Sequence, residues 1–335
     1  MKTTTTHHTG CSNTVRIAAL KVFLLATMAA LVHAGDLEVG DFTFAGPLGS
    51  DGARIEKVAK NHFRVSLAQA PNHPEWPNKL NFQIVRNAKG NDLRLEVLFD
   101  GGKGMAFNEY FQSWSYDGKT WQPVQWEKGY KQSPQQDFLT FPVFERDRVF
   151  VGTQVPLSFE EVEQLIQHWK RHPSVQVHVI GESLKGRNLY RLEITDPASE
   201  IPCGKRWVHY FANQHPGEHN SQWRLVGMVD WILSNEAAPF RRNSICHVIL
   251  MMSPDGPSHG WYRVNAEGVD MNRSYRASGS DKTYGSTTWT GGPHSQFGIT
   301  AILCEGAGAL FTKEENVESG KVIIKAVADY YSGNK

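Results

Sequence analysis

Residues 207–233 read WVHYFANQHPGEHNSQWRLVGMVDWIL, which gives a strand signal, a polar loop and a helix signal in one pass. Trp207–Phe211 is an apolar run of strand length, and Leu225, Met228, Val229 and Ile232 recur at the three- and four-residue spacing of an amphipathic helix. Further strand-like runs lie at Val175–Ile180, Leu189–Ile194, Ile245–Met252 and Ile299–Cys304. Helical patterns bracket them: Val162, Leu165, Ile166 and Trp169 before Pro173, and later Ile323, Ala326, Val327 and Tyr330. Ser158-Phe159-Glu160-Glu161 supplies a capping box for the first of these. Strands alternating with helices predict an α/β layer from about residue 155 onward.

The pattern changes upstream. Leu80–Val85 and Leu93–Phe99 alternate apolar and polar residues, and turn signals at Asp100-Gly101-Gly102 and Asp117-Gly118 punctuate the region. Period-two alternation with regular turns predicts an antiparallel β-sandwich over residues 35–150. Trp114, Trp121 and Trp126 are expected between its sheets, with sugar stacking as the alternative. At the start, Arg16 and Lys21 precede the short apolar run Val22–Val32, and Val32-His33-Ala34 places small residues where a signal peptidase reads. Residues 1–34 therefore read as a cleavable signal peptide, and the mature chain as secreted or periplasmic. The run is too short for a stable membrane span, and nothing later resembles one. The expected division is 1–34 signal, 35–150 sandwich and 151–335 α/β domain.

Composition narrows the function classes. At 335 residues, with 40% hydrophobic residues and 10 Trp, the chain can bury a sizeable core, which excludes a disordered or collagen-like protein. The net charge of +1, with no Lys/Arg cluster, excludes a nucleic-acid partner held by its phosphates. Cys203, Cys246 and Cys304 follow the signal, and no Cys-x-x-Cys occurs, so a cysteine zinc site is not expected. Cys246 and Cys304 lie in apolar runs and read as buried small hydrophobes.

His215-Pro216-Gly217-Glu218 carries the chemistry. An imidazole and a carboxylate are good zinc donors, and the strand-to-helix loop that holds them is where α/β proteins place their sites. His219 completes a His-x-x-Glu-His string, but a helical two-histidine site would need a helical turn through Pro216-Gly217, and both are poor inside helices. Glu305 ends the apolar run Ile299–Cys304, where a carboxylate is costly without a partner.

With Pro254-Asp255-Gly256, Arg263 and Asp270-Met271-Asn272-Arg273 added, the chain resembles the M14 metallocarboxypeptidases. It is most similar to their bacterial relatives that carry a β-sandwich in front and are akin to the cytosolic carboxypeptidases. The matching pieces are GRNLYRLEIT (186–195), HPGE (215–218), PDG (254–256), Arg263, DMNR (270–273) and Glu305, over roughly residues 155–315. The resemblance implies an α/β domain with a mixed sheet flanked by helices. It implies a Zn2+ cofactor with His215 and Glu218 as two of three protein ligands, and Arg263 at the developing oxyanion. Asn272 and Arg273 would hold the substrate's terminal carboxylate, Tyr284 would cap the substrate, and Glu305 would be the general base.

The family's third ligand is a histidine between the Asn-Arg pair and the tyrosine. Here no histidine lies between Arg273 and Tyr284. Family members carry several tens of residues more in that interval, so the chain reads as shortened between about residues 276 and 284. His294, beyond the tyrosine, is the candidate third ligand, and His259 is a weaker one. The expected function is an exported zinc-dependent hydrolase that removes C-terminal residues from peptides with a free C-terminal carboxylate. The alternatives are an inactive relative that binds carboxylate-ended peptides or cell-wall ligands, and a binding function in the sandwich.

Overall fold

The computed structural model describes residues 35–99, 112–124, 136–274, 294, 298–304 and 312–333. Residues 34–335 make one compact unit.

The first part is the expected sandwich. One sheet holds β1 (Phe42–Thr43), β6 (Phe82–Ile84), β8 (Gln112–Ser115), β9 (Gln122–Pro123) and β11 (Val149–Thr153), in the order β1-β6-β11-β8-β9 with every pair antiparallel. The other holds β2 (Arg54–Ala59), β3 (His62–Leu67), β7 (Leu93–Phe99) and β10 (Gln136–Phe141), in the order β10-β7-β3-β2. Here β3 and β7 run parallel, because the chain passes through β6 in the facing sheet before returning. A small hairpin, β4 (Gln69–Ala70) and β5 (His73–Pro77), lies between. Alternation fills the space between the sheets: Phe63, Val65 and Leu67 of β3 and Leu93, Leu95 and Val97 of β7 meet Phe82, Ile84, Val149 and Val151 in one buried cluster. Trp114 is in this core, as expected. Trp121 packs instead against the α/β core, because β9 ends at the rim of its sheet, and Trp126 lies outside the described residues.

The second part carries the mixed sheet. α1 (Phe159–Trp169) starts where the capping box predicted: the Ser158 Oγ accepts from Glu161 N–H at 3.2 Å, and the Glu161 carboxylate accepts from Ser158 N–H at 3.0 Å. β12 (Val175–Glu182), β13 (Asn188–Ile194), β14 (Trp207–Ala212) and β15 (Ser244–Ile249) form a sheet in the order β12-β13-β15-β14. The β14–β15 pair is parallel, and the crossover between its strands is α2 (His219–Leu233) followed by α3 (Ala238–Asn243). The short α4 (Gly256–His259) follows β15, and α5 (Lys313–Gly333) packs on α2. Val162, Ile166 and Trp169 of α1, Val229 and Ile232 of α2, Leu192, Cys246 and Val248 of the sheet and Ile324 of α5 share one core. Among the described residues, no helix is long and apolar enough to cross a membrane.

One expected strand is corrected. Ile299–Cys304 takes no regular structure, and Ile302 and Leu303 are 71% and 60% exposed. Cys304 is exposed rather than buried, whereas Cys246 is buried as expected. An apolar run becomes a strand only when its backbone finds a pairing edge, and no described strand pairs with this one.

The two parts meet along the segment after β15. Gly49 N–H donates to Pro257 O (3.0 Å), Asp51 N–H to His259 O (3.0 Å) and Lys79 N–H to Gly260 O (2.6 Å). The Asn72 amide donates to Glu267 O at 2.8 Å. Gly260 is required there: its φ is +74°, and a Cβ would lie 2.5 Å from Gly49 O. The sandwich therefore grips the loop that leads into the candidate site.

Candidate metal centre

The site lies at the C-terminal end of β14. The strand stops at Ala212, and the chain turns through Asn213–Glu218 before α2 begins at His219. Pro216 and Gly217 keep the helix from starting sooner. The first turn of α2 braces the loop. The Asn213 amide donates to Ser221 Oγ at 2.6 Å, and Gln222 Nε2 donates to Asn213 Oδ1 at 3.1 Å. Gly217 N–H donates to Tyr262 O at 2.8 Å. A Cβ on Gly217 would sit 2.8 Å from both Tyr262 Cα and Lys79 Cε, so only glycine lets the two loops approach this closely.

Four charged groups then line up. His215 Nδ1 is 2.8 Å from Glu218 Oε1, and its Nε2 is 3.1 Å from Asp270 Oδ1. Arg263 Nε donates to the other Asp270 oxygen at 2.5 Å. Asp270 also accepts the backbone N–H of Asn272 at 2.9 Å, capping the single 3-10 turn Met271–Arg273. The imidazole is 5% exposed, while the Glu218 side chain is 33% exposed. Burial pushes the His215 imidazole toward neutrality, but its hydrogen bonds to Asp270 and Glu218 outweigh this and hold its pKa above the usual value. Burial likewise favours a protonated Asp270, yet the bonds from His215 and Arg263 keep that carboxyl well below the usual carboxylate range. Lys79, reaching in from the sandwich, is pushed by burial down to about 7, against the pull of Glu218.

Two donors of the kind zinc takes are placed here. An imidazole nitrogen and a carboxylate oxygen face each other, and a carboxylate on the far ring nitrogen fixes the ring, the arrangement that orients metal-binding histidines. Among the described residues, no group of three His, Cys, Asp or Glu side chains is placed to hold a metal. His294 is exposed, with its Nδ1 3.0 Å from Ile299 O. His259 is at the sandwich seam, paired with Asp51 at 2.5 Å and stacked on Trp261. His219 is buried in α2, where Leu157 N–H donates to its Nδ1 at 3.3 Å and burial pushes its pKa down to about 4. Arg263 and Asn272 adjoin the His215–Glu218 pair through Asp270, and Arg273 is exposed on the same turn. Tyr284 and Glu305 lie outside the described residues.

Sequence reasoning passed over Asp270 and Lys79. Asp270 was visible as the carboxylate that opens Asp-Met-Asn-Arg, two residues before the turn it caps. Lys79 had no local signal, since its partners stand well over a hundred residues away. The remaining matched motifs are scaffold. Arg187 donates to Pro254 O (2.7 Å) and Glu160 Oε1 (3.1 Å), and Asp255 accepts from Ser183 Oγ (2.8 Å), which ties the β12–β13 hairpin to the loop after β15.

The zinc carboxypeptidase profile matches residues 162–329, half of the chain. The chain belongs to the zinc carboxypeptidase family. Cytosolic carboxypeptidase 2 of Danio rerio is 30% identical over 182 residues, covering 52% of this chain and 24% of the relative. The protein of that name from Macaca fascicularis is 31% identical over 147 residues, covering 41% and 17%. The family member described here thus spans a quarter or less of the length of these relatives. Its fold matches a metallo-carboxypeptidase from Burkholderia cenocepacia with a TM-score of 0.72 at 14% identity, over 88% of this chain and 100% of that one. A metallo-carboxypeptidase from Pseudomonas aeruginosa gives a TM-score of 0.68 at 15% identity, over 85% and 98%.

Proposed function

We propose that the protein is an exported zinc-dependent carboxypeptidase that hydrolyses the last peptide bond of substrates with a free C-terminal carboxylate. The observation that carries this reading is the His215–Glu218 pair at a strand end, with Asp270 on the far ring nitrogen. His215 and Glu218 would hold the zinc; His294, exposed and bonded to Ile299 O, would have to move to supply the third donor. A zinc held there would supply Lewis-acid chemistry for a carbonyl and for water. Asp270 orients the His215 ring through Nε2, so that Nδ1 faces the Glu218 carboxylate. The Arg273 guanidinium takes the substrate carboxylate on two nitrogens, Asn272 adds a donor beside it, and Tyr284 covers the bound residue. Arg263 supplies positive charge near the carbonyl oxygen as it becomes an oxyanion. The Glu305 carboxylate accepts the proton of the attacking water and returns it to the leaving amine nitrogen. Residues 1–34 would be removed on export, leaving the sandwich of 35–150 and the catalytic domain of 151–335.

A second reading has its own support. The described donor set stops at two, and catalytic zinc sites use three protein ligands. On that reading Arg263, Asn272 and Arg273 bind carboxylate-ended peptides without cleaving them. Elemental analysis of the mature protein, together with an assay for release of C-terminal residues, separates the two. About one zinc per chain, and release that is lost in Glu305→Gln, support the peptidase. A folded, zinc-free protein that binds peptides would overturn it. His294→Ala, if it retains its zinc, rejects that residue as the third donor.

A further inference from the structure

α2 begins without a cap of its own. Its N-cap residue is Glu218, whose side chain accepts no hydrogen bond from the first turn. A buried helix start needs partners for its N–H groups, since an unanswered one is costly. Here the partner comes from 65 residues away, where Gln154 Oε1 accepts the His219 N–H at 3.1 Å. Gln154 follows directly on β11, is 1% exposed, and stands in left-handed backbone with a φ of +61°. Among the described residues, the other non-glycine residues with a positive φ are all asparagines, which tolerate it far better than glutamine does. The sandwich fixes this residue from behind. Thr153 N–H donates to Asn81 Oδ1 at 3.1 Å, and the Gln154 carbonyl accepts from Ser113 Oγ. The residues that follow stay on α2. Val155 O accepts from Trp223 Nε1 at 2.8 Å, and Leu157 N–H donates to His219 Nδ1 at 3.3 Å. Residues 154–157, all buried, thus form a strap from the sandwich onto the opening of α2.

We propose that this strap is the missing cap of α2, and that Gln154 is a positioning residue. Its amide oxygen fixes the first helical N–H and, with it, Glu218 immediately before. The strained backbone is kept because it aims this side chain at the helix start. The sandwich thereby sets where the Glu218 carboxylate stands. What that carboxylate does there rests on the peptidase reading; that Gln154 holds it does not.

The test uses the full-length chain and three variants. Gln154→Met keeps the length of the side chain and removes the acceptor. Gln154→Asn suits the left-handed backbone better than glutamine but is one methylene short. Gln154→Glu keeps an acceptor at full length. Amide exchange is followed by NMR on protein carrying isotope-labelled histidine, with His247 of the central strand β15 as the internal reference. Relative to His247, the His219 amide should exchange at least about tenfold faster in the Met and Asn variants, as expected for a lost buried hydrogen bond. It should match the parent in Gln154→Glu, whose carboxylate still accepts at the helix start. Full protection in Gln154→Asn, or equal loss in all three variants, overturns the proposal, since backbone strain or packing would then govern. If the Met and Asn variants do not fold, a folded Gln154→Glu supports the cap and an unfolded one overturns it. The second readout is release of C-terminal residues from peptides by the folded variants. In Gln154→Met, kcat should fall about tenfold with KM within about twofold, because the strap reaches the Glu218 loop and not the groups assigned to the substrate carboxylate. A rise in KM with kcat unchanged overturns the positioning role. A parent chain that releases nothing defeats the peptidase reading, while exchange still decides the role of Gln154.

Discussion

The loop at residues 213–218 carries motif residues of the family and the segment at residues 298–304 runs up to another in the sequence, yet they fold differently. The first is gripped from every side: by the opening turn of α2, by Tyr262, by Asp270 and by Lys79 of the sandwich. The second has exposed apolar side chains and no regular structure. Their sequences would not suggest this, since Ile299–Cys304 is the more apolar and the more strand-like of the two. The difference lies in partners. A polar loop braced by hydrogen bonds on several sides is held in one form, and an apolar run without a paired edge is not a strand.

The largest effect that sharpens this contrast should come from Asp270→Asn. It leaves Arg263 without its carboxylate and His215 without its orienting partner. We expect a loss of roughly 3 kcal/mol in urea unfolding. Zinc affinity by chelator competition should fall roughly 10- to 100-fold. A variant as stable as the parent would show that the charged chain does not hold the loop.

Acid should act through buried histidines next. His209 is ringed by Phe211, Phe240 and Tyr331, and burial pushes its pKa down to about 4, as it does for His219. The unfolded chain takes up these protons near pH 6.5 and the folded one only near pH 4. Stability is therefore complete above pH 6.5 and falls as the pH drops from there toward 4. For His209 the loss is on the order of 3 kcal/mol. His209→Phe should flatten this part of the pH–stability curve, and an unchanged slope would refute the assignment.

Two glycines set the gripped and exposed regions side by side. Gly217→Ala forces a methyl against Lys79 and Tyr262 and should cost about 1–3 kcal/mol in thermal or urea unfolding. Gly298→Ala meets nothing within 4 Å and carries only the penalty of its φ of +65°, about 1 kcal/mol. The smallest effect belongs to Leu303→Ser, expected within roughly 0.5 kcal/mol, where truncation of the buried Leu192 to Ala should cost about 2–5 kcal/mol. A large loss at Leu303 would mean that the segment is packed after all.

Much of the molecule was legible from local signals. The capping box placed the start of α1, helical periodicity placed α2 and α5, and alternation placed β6 and β7 and the sandwich core. The His215–Glu218 pair was legible because both residues stand on one loop. What failed shared one cause. Trp121 went to the other core, β3 and β7 paired in parallel, and Ile299–Cys304 found no edge. Each outcome depends on what stands opposite in space, which periodicity does not encode. The contacts of Asp270 and Lys79 were hidden for the same reason, since their partners are distant in the chain.

The sequence by itself determined most of the order of strands and helices, most of the residues of the two cores, and the pair of donors at the end of β14. Those are properties of a residue and its near neighbours, set by periodicity, turn chemistry and donor type. Only the tertiary structure decided that Asp270 locks His215 to Arg263, and that a sandwich lysine lies against Gly217. Electrostatic partnership depends on distance through space, and these partners come from loops far apart in the chain.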